Sequence, residues 1–127
     1  MFSGSPFTKK KEMIIDKFKS IFLGLEIAYG QYQPGERGDN GKQKGKAFIV
    51  RGQVTDELWS NHLEGKGPAL GIIPITEDNS CRWGCIDIDE YNFDHTSFIK
   101  SIRDHKLPLI VCRSKSGGAH VFLFTNT

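Results

Sequence analysis

The feature that most constrains the fold is a pair of apolar stretches, Leu107 to Arg113 and Ala119 to Thr125, joined only by Ser114-Lys115-Ser116-Gly117-Gly118. Both are rich in β-branched and aromatic residues, and the glycine-bearing joint has turn composition, so the pair reads as two strands of one sheet. Arg82 to Asp89 and Ala69 to Ile75 have the same texture and flank a turn at Thr76-Glu77-Asp78-Asn79-Ser80. Between them and the final pair, Asp94 is an N-cap candidate for a helix whose inward face is Phe98, Ile99 and Ile102. The order β-β-α-β-β predicts an α+β fold, a mixed or antiparallel sheet with flanking helices.

The first half has a different texture. Ile14, Phe18, Ile21, Phe22 and Leu25 recur at steps of three and four, which predicts a helix from Lys11, with Thr8 as cap and Gly24 as stop. Gln33 to Lys46 holds four Gly, one Pro, the cations Arg37, Lys42, Lys44 and Lys46, and no large apolar residue. That composition predicts a flexible Gly/Lys-rich loop over 33–46, either a surface insertion or a basic arm for phosphates. Ala47 to Arg51 reads as a short strand. Thr55-Asp56-Glu57 opens a helix with Leu58, Trp59 and Leu63 facing inward, ended by Gly65.

Length matters next, because 127 residues suffice for one domain with a core and are too few for two of ordinary size. Nine Phe and 38% apolar residues exclude wholesale disorder. No apolar run approaches the roughly 18 residues of a membrane span, and the start of the chain lacks the pattern of a signal peptide. A cytoplasmic protein is expected. Cys81, Cys85 and Cys112, set in apolar stretches, are expected to be reduced core thiols; a zinc site with His95 would lack the second matched pair. The net charge of +2 is too small to announce a nucleic-acid partner.

Two segments carry chemistry. In Cys85-Ile86-Asp87-Ile88-Asp89, strand alternation sends Asp87 and Asp89 to one face while Ile86 and Ile88 pack behind them. Adjacent carboxylates repel unless a cation relieves them, and oxygen-only ligands suit Mg²⁺ or Mn²⁺ completed by water and phosphate. Two merely solvated acids at a strand end are the alternative. The second segment runs from Arg113 through Ser114, Lys115, Ser116, Gly117 and Gly118 to His120. Paired glycines allow a tight turn, hydroxyls and turn N–H groups donate to phosphate oxygens, and two cations add positive charge. It does not have the order of a nucleoside-triphosphate P-loop.

Hydrophobic-Asp-hydrophobic-Asp at 86–89, followed after a helix and a strand by Ser116-Gly117-Gly118-Ala119-His120, resembles motifs I and II of the archaeo-eukaryotic primase superfamily. The flanks around His62-Leu63-Glu64-Gly65, Gly71 to Ile75, Asp78 to Cys81 and Leu107 to Phe124 resemble the primase domain of TOTE conflict systems and related phage primase-polymerases. The likeness covers roughly residues 12–125 and is strongest from 55 onward. It implies a partly RRM-like catalytic half, with Asp87 and Asp89 as metal-binding carboxylates and His120 in contact with the nucleotide triphosphate. Ser116 matches the motif-II serine, and Arg113, Ser114, Lys115, Gly117 and Gly118 are its phosphate-binding surroundings. Implied partners are a DNA template and primer, NTP or dNTP, and helicase or other replication proteins, in a bacterial, phage or mobile-element setting.

The superfamily's third motif, an acid on a later strand, has no match in Thr125-Asn126-Thr127. The chain therefore reads as the front of a longer enzyme or as a short relative, expected to bind metal and nucleotide and to turn over poorly or not at all. A nucleotide- or DNA-binding module without chemistry and a metal-dependent nuclease are the two rival readings.

Overall fold

The computed structural model describes residues 5–41 and 43–125; Lys42, one of the four loop cations, and residues 1–4 and 126–127 lie outside the described residues. The chain forms two compact units, Met1–Asn79 and Ser80–Thr127.

In the first unit, α1 spans Pro6–Ile21. It begins earlier than the apolar periodicity predicts, because the N-cap is Ser5 rather than Thr8: the Ser5 hydroxyl accepts from the Thr8 N–H, and Pro6 brings a helix-ready φ to the first turn. Nor is Gly24 the stop: the helix closes at Phe22, whose N–H bonds the Phe18 carbonyl. Gly24 instead lies against Ile73, where a Cβ would stand 2.2 Å from the Ile73 carbonyl oxygen. The same carbonyl accepts from Leu25 N–H at 2.9 Å.

Strands β1 (Ala28–Arg37) and β2 (Gln43–Arg51) pair antiparallel from Ala28↔Arg51 to Arg37↔Gln43. The expected loop over 33–46 is therefore mostly a two-stranded ribbon with a turn at its tip. Glycine here serves close approach: a Cβ on Gly35 would lie 1.8 Å from the Lys44 carbonyl oxygen, and one on Gly45 would lie 2.1 Å from the Tyr32 ring. Helix α2 (Asp56–Leu63) is capped by Thr55 as predicted. Trp59 is buried beside Phe18, but Leu63 is 37% exposed rather than inward. Strand β3 covers only Ala69–Gly71, shorter than the apolar run to Ile75. Pro74 cannot donate to a ladder, and Ile73 gives its carbonyl to Leu25. The sheet order is β2-β1-β3, and Ile15, Tyr29 and Trp59 are buried in this unit.

The second unit contains β4 (Trp83–Ile88), α3 (His95–Asp104), β5 (Leu109–Arg113) and β6 (Ala119–Phe124), in sheet order β4-β6-β5. Both β4 and β5 run antiparallel to β6, so they are parallel to each other, and α3 is the crossover of a split β-α-β unit. Asp94 caps α3 through Ser97. Ile102, Ala119 and Val121 are buried and make the core of this unit. Ile86, expected in the core, is 61% exposed: β4 is an edge strand, and α3 packs on β5. All three cysteines are free and exposed rather than core thiols. The helices and two antiparallel sheets make the fold α+β, and among the described residues no helix is long and apolar enough to cross a membrane.

Candidate active site

The ladder of the second unit fixes which side chains share a face. One row across the sheet is Asp87, His120 and Cys112; the next on that face is Cys85, Phe122 and Ile110. Asp87 and His120 are thus direct partners, and the His120 Nε2 stands 3.4 Å from an Asp87 carboxylate oxygen. Both remain open to solvent, with side chains 71% and 46% exposed. The Cys85 thiol is pushed above its ordinary range, first by partial desolvation on the sheet face and then by the Asp87 carboxylate.

The 114–118 segment forms a tight hairpin turn. Gly117 N–H bonds the Ser114 carbonyl at 3.1 Å, Gly117 takes φ +94°, and Ser114 N–H bonds the Gly118 carbonyl at 3.1 Å. A turn followed by a left-handed glycine is the usual geometry of a short bulged hairpin. The Ser114 and Ser116 hydroxyls stand 3.2 Å apart, and Ser116 and Lys115 are exposed. Gly118 is buried against the end of β4: a Cβ there would lie 2.0 Å from the Ile88 carbonyl oxygen and 3.4 Å from the Glu90 nitrogen. Only a residue without a side chain lets the turn sit on the backbone around Asp89, an exposed residue just past the last ladder pair. Arg113 is placed differently. It pairs with Ala119, so alternation sets it on the face opposite Asp87 and His120.

One positioning residue is absent from the sequence expectation. His95, at the start of α3, has its Nε2 2.8 Å from the Gly118 carbonyl oxygen. A carbonyl only accepts, so Nε2 carries the proton and donates. The Phe93 ring packs edge-on to this imidazole at 5.0 Å and to Phe98 at 5.3 Å, which holds the imidazole in place. The sequence signal was a histidine next to the Asp94 cap, but nothing local indicates that it reaches a turn 23 residues away.

Two exposed carboxylates and an imidazole lie at the end of β4 and on β6, beside a polar turn whose two serine hydroxyls face each other. The donor chemistry fits a Mg²⁺ or Mn²⁺ ion held by one or two carboxylates and completed by water and phosphate. Among the described residues, no group of three or more His, Cys, Asp or Glu is placed to hold a metal ion, so any ion here would take most of its ligands from water and substrate. A split β-α-β sheet with this acid and imidazole on adjacent strands defines an α+β class of domain. The sequence matches the family model of the TOTE conflict system archaeo-eukaryotic primase domain over residues 15–127, so the chain belongs to that family. Comparison with curated proteins and with solved structures gave no match.

Proposed function

We propose that this primase-family domain binds a nucleoside triphosphate with Mg²⁺ or Mn²⁺ and joins nucleotides to a primer or initiating strand on a DNA template. The observation that carries the reading is the 3.4 Å apposition of Asp87 and His120 beside a turn seated on the β4 end through Gly118. Asp87 and Asp89 supply the ion's protein ligands. When bound, such an ion offsets phosphate charge and lowers the pKa of an attacking 3′-hydroxyl. His120, opposite Asp87, donates to a phosphate oxygen of the same triphosphate. The Ser114 and Ser116 hydroxyls give neutral donors, and Lys115 gives charge on the same turn. Arg113 reaches a phosphate only by extending around the strand end.

The α-phosphorus is attacked by the 3′-oxygen as pyrophosphate leaves, and the hydroxyl proton passes to solvent or a nearby base. Positioning and charge neutralisation carry most of such a reaction, which suits an open site built from turn and strand-end groups. A site with only two carboxylates also supports a reading as a nucleotide-binding domain without turnover.

Calorimetric titration of dNTP and NTP in Mn²⁺, beside a primer-extension assay, separates these readings. Binding with extension supports the enzyme, binding alone the module, and shortening of the DNA a nuclease. Asp87→Asn with Asp89→Asn is expected to weaken metal-dependent nucleotide binding by at least about tenfold, roughly 1.4 kcal/mol. Unchanged affinity in that variant removes both nucleotide readings.

A further inference from the structure

Past the row that joins Tyr32 to Ala47 in β2 and to Ala69 in β3, the β1–β2 pair runs on alone through Gln33↔Lys46 and Pro34↔Gly45 and, after a register shift that places the extra residue in β1, to Arg37↔Gln43. Both strands of this extension are exposed along their length. At about 3.3 Å per residue it reaches roughly 16 Å beyond the three-stranded sheet. Residues 33–46 contain no large apolar side chain of their own, and the Tyr32 ring lies over Gly45 at the base of the ribbon. Glycines at 35 and 45 bring backbone onto backbone and ring, which makes the ribbon narrow. Gln43 ties it further through its Nε2–H, which donates to the Gly35 carbonyl at 3.1 Å.

Charge is concentrated on this element. Residues 33–51 hold five cations, Arg37, Lys42, Lys44, Lys46 and Arg51, against Glu36 and Asp39. Among the described residues, Arg37, Lys44 and Lys46 make no ion pair. Alternation sends Lys44 and Lys46 to the same side of β2. Their spacing along the strand, about 6.6 Å, spans two axial phosphate steps of a DNA strand at about 3.4 Å each. Unpaired cations that serve only to block edge-to-edge association of a sheet need no such common face.

We propose that the β1–β2 ribbon is a DNA-backbone-binding arm, with Lys44 and Lys46 on phosphates two steps apart along one strand and Arg37 near the tip adding a further contact. The assignment rests on the nucleic-acid substrate of the proposed function and adds the surface that engages it. It is independent of base sequence, because lysines on a ribbon face read charge.

The test is fluorescence anisotropy of the whole chain with a labelled single strand and with its duplex, across a range of salt. For Lys44→Gln with Lys46→Gln, the slope of log affinity against log salt is expected to shrink by about 1.4 on the single strand and about 1.8 on the duplex. Affinity at low salt should fall about tenfold or more. Lys44→Arg with Lys46→Arg keeps both, and Mn²⁺-dependent nucleotide binding and the melting temperature stay as in the parent. The slope change on one form of DNA alone identifies which form the arm holds. An unchanged slope on both forms, or an equal loss in the arginine variant, overturns the assignment. A parent chain that binds nucleotide but no DNA overturns the arm alone; one that binds neither overturns the reading of the site as well.

Discussion

Gly117 and Gly118 are adjacent in sequence and differ in what they require. Gly117 needs a left-handed backbone, and a Cβ there meets open space, so Gly117→Ala should cost about 1 kcal/mol of conformational strain. At Gly118 the obstacle is the Ile88 carbonyl, 2.0 Å from a Cβ, so Gly118→Ala forces the turn away from β4. Overpacking of that kind costs about 1–3 kcal/mol, and nucleotide affinity should fall with it. Thermal melts beside calorimetry check the pair: equal melting temperatures for the two variants would contradict this account. His95→Ala removes the donor to Gly118, and a loss of about 1 kcal/mol is expected, with nucleotide affinity reduced although His95 touches no ligand. His95→Gln, which keeps a donor, should restore part of both. The glycine pair was legible as a turn from its composition. The reason Gly118 must be glycine was not, because the obstructing carbonyl is 30 residues earlier in the chain.

Elements formed where local signals agreed. Asp94 and Thr55 cap α3 and α2 as their positions imply, since an Asx or Thr side chain satisfies N–H groups within its own turn. The ribbon was misread for a physical reason: glycine, proline and charge describe a loop when nothing else is known, and cross-strand pairing can still order them. The α1–α2 junction gives a pH prediction. Glu64, at the C-cap of α2, is hydrogen-bonded by Lys11 of α1 and by Lys66, which lowers its pKa from the ordinary 4.5 to about 2. Its folded value lies below its unfolded one, so the contribution to stability is present above about pH 4.5 and is lost as the pH falls through about 2. The carboxyl is exposed, so the effect is small and salt weakens it. An NMR titration should find the Glu64 midpoint near 2 in the parent and closer to 4.5 in Lys11→Met. A parent midpoint already at 4.5 refutes the pairing.

At the scale of the whole molecule, the chain has two sheets in two compact units where the strand order suggested that β3 and β4 shared one. Each unit has its own ladder and buried residues, so native-state amide exchange should sort β1–β2 and β6 into two groups with distinct opening free energies. A single common value through both sheets would contradict this division. The sequence by itself determined the helices, the turn at Ser114 to Gly118 and the residue types of the site, because caps, alternation and glycine act over a few neighbouring residues. Its motif spacing also carried the family, which the match over residues 15–127 bears out. Only the tertiary structure decided that Asp87 lies opposite His120, that Arg113 lies on the other face and that β3 pairs with β1. Register and strand order depend on which distant backbone groups exchange hydrogen bonds, and a one-residue slip would carry every side chain to the opposite face.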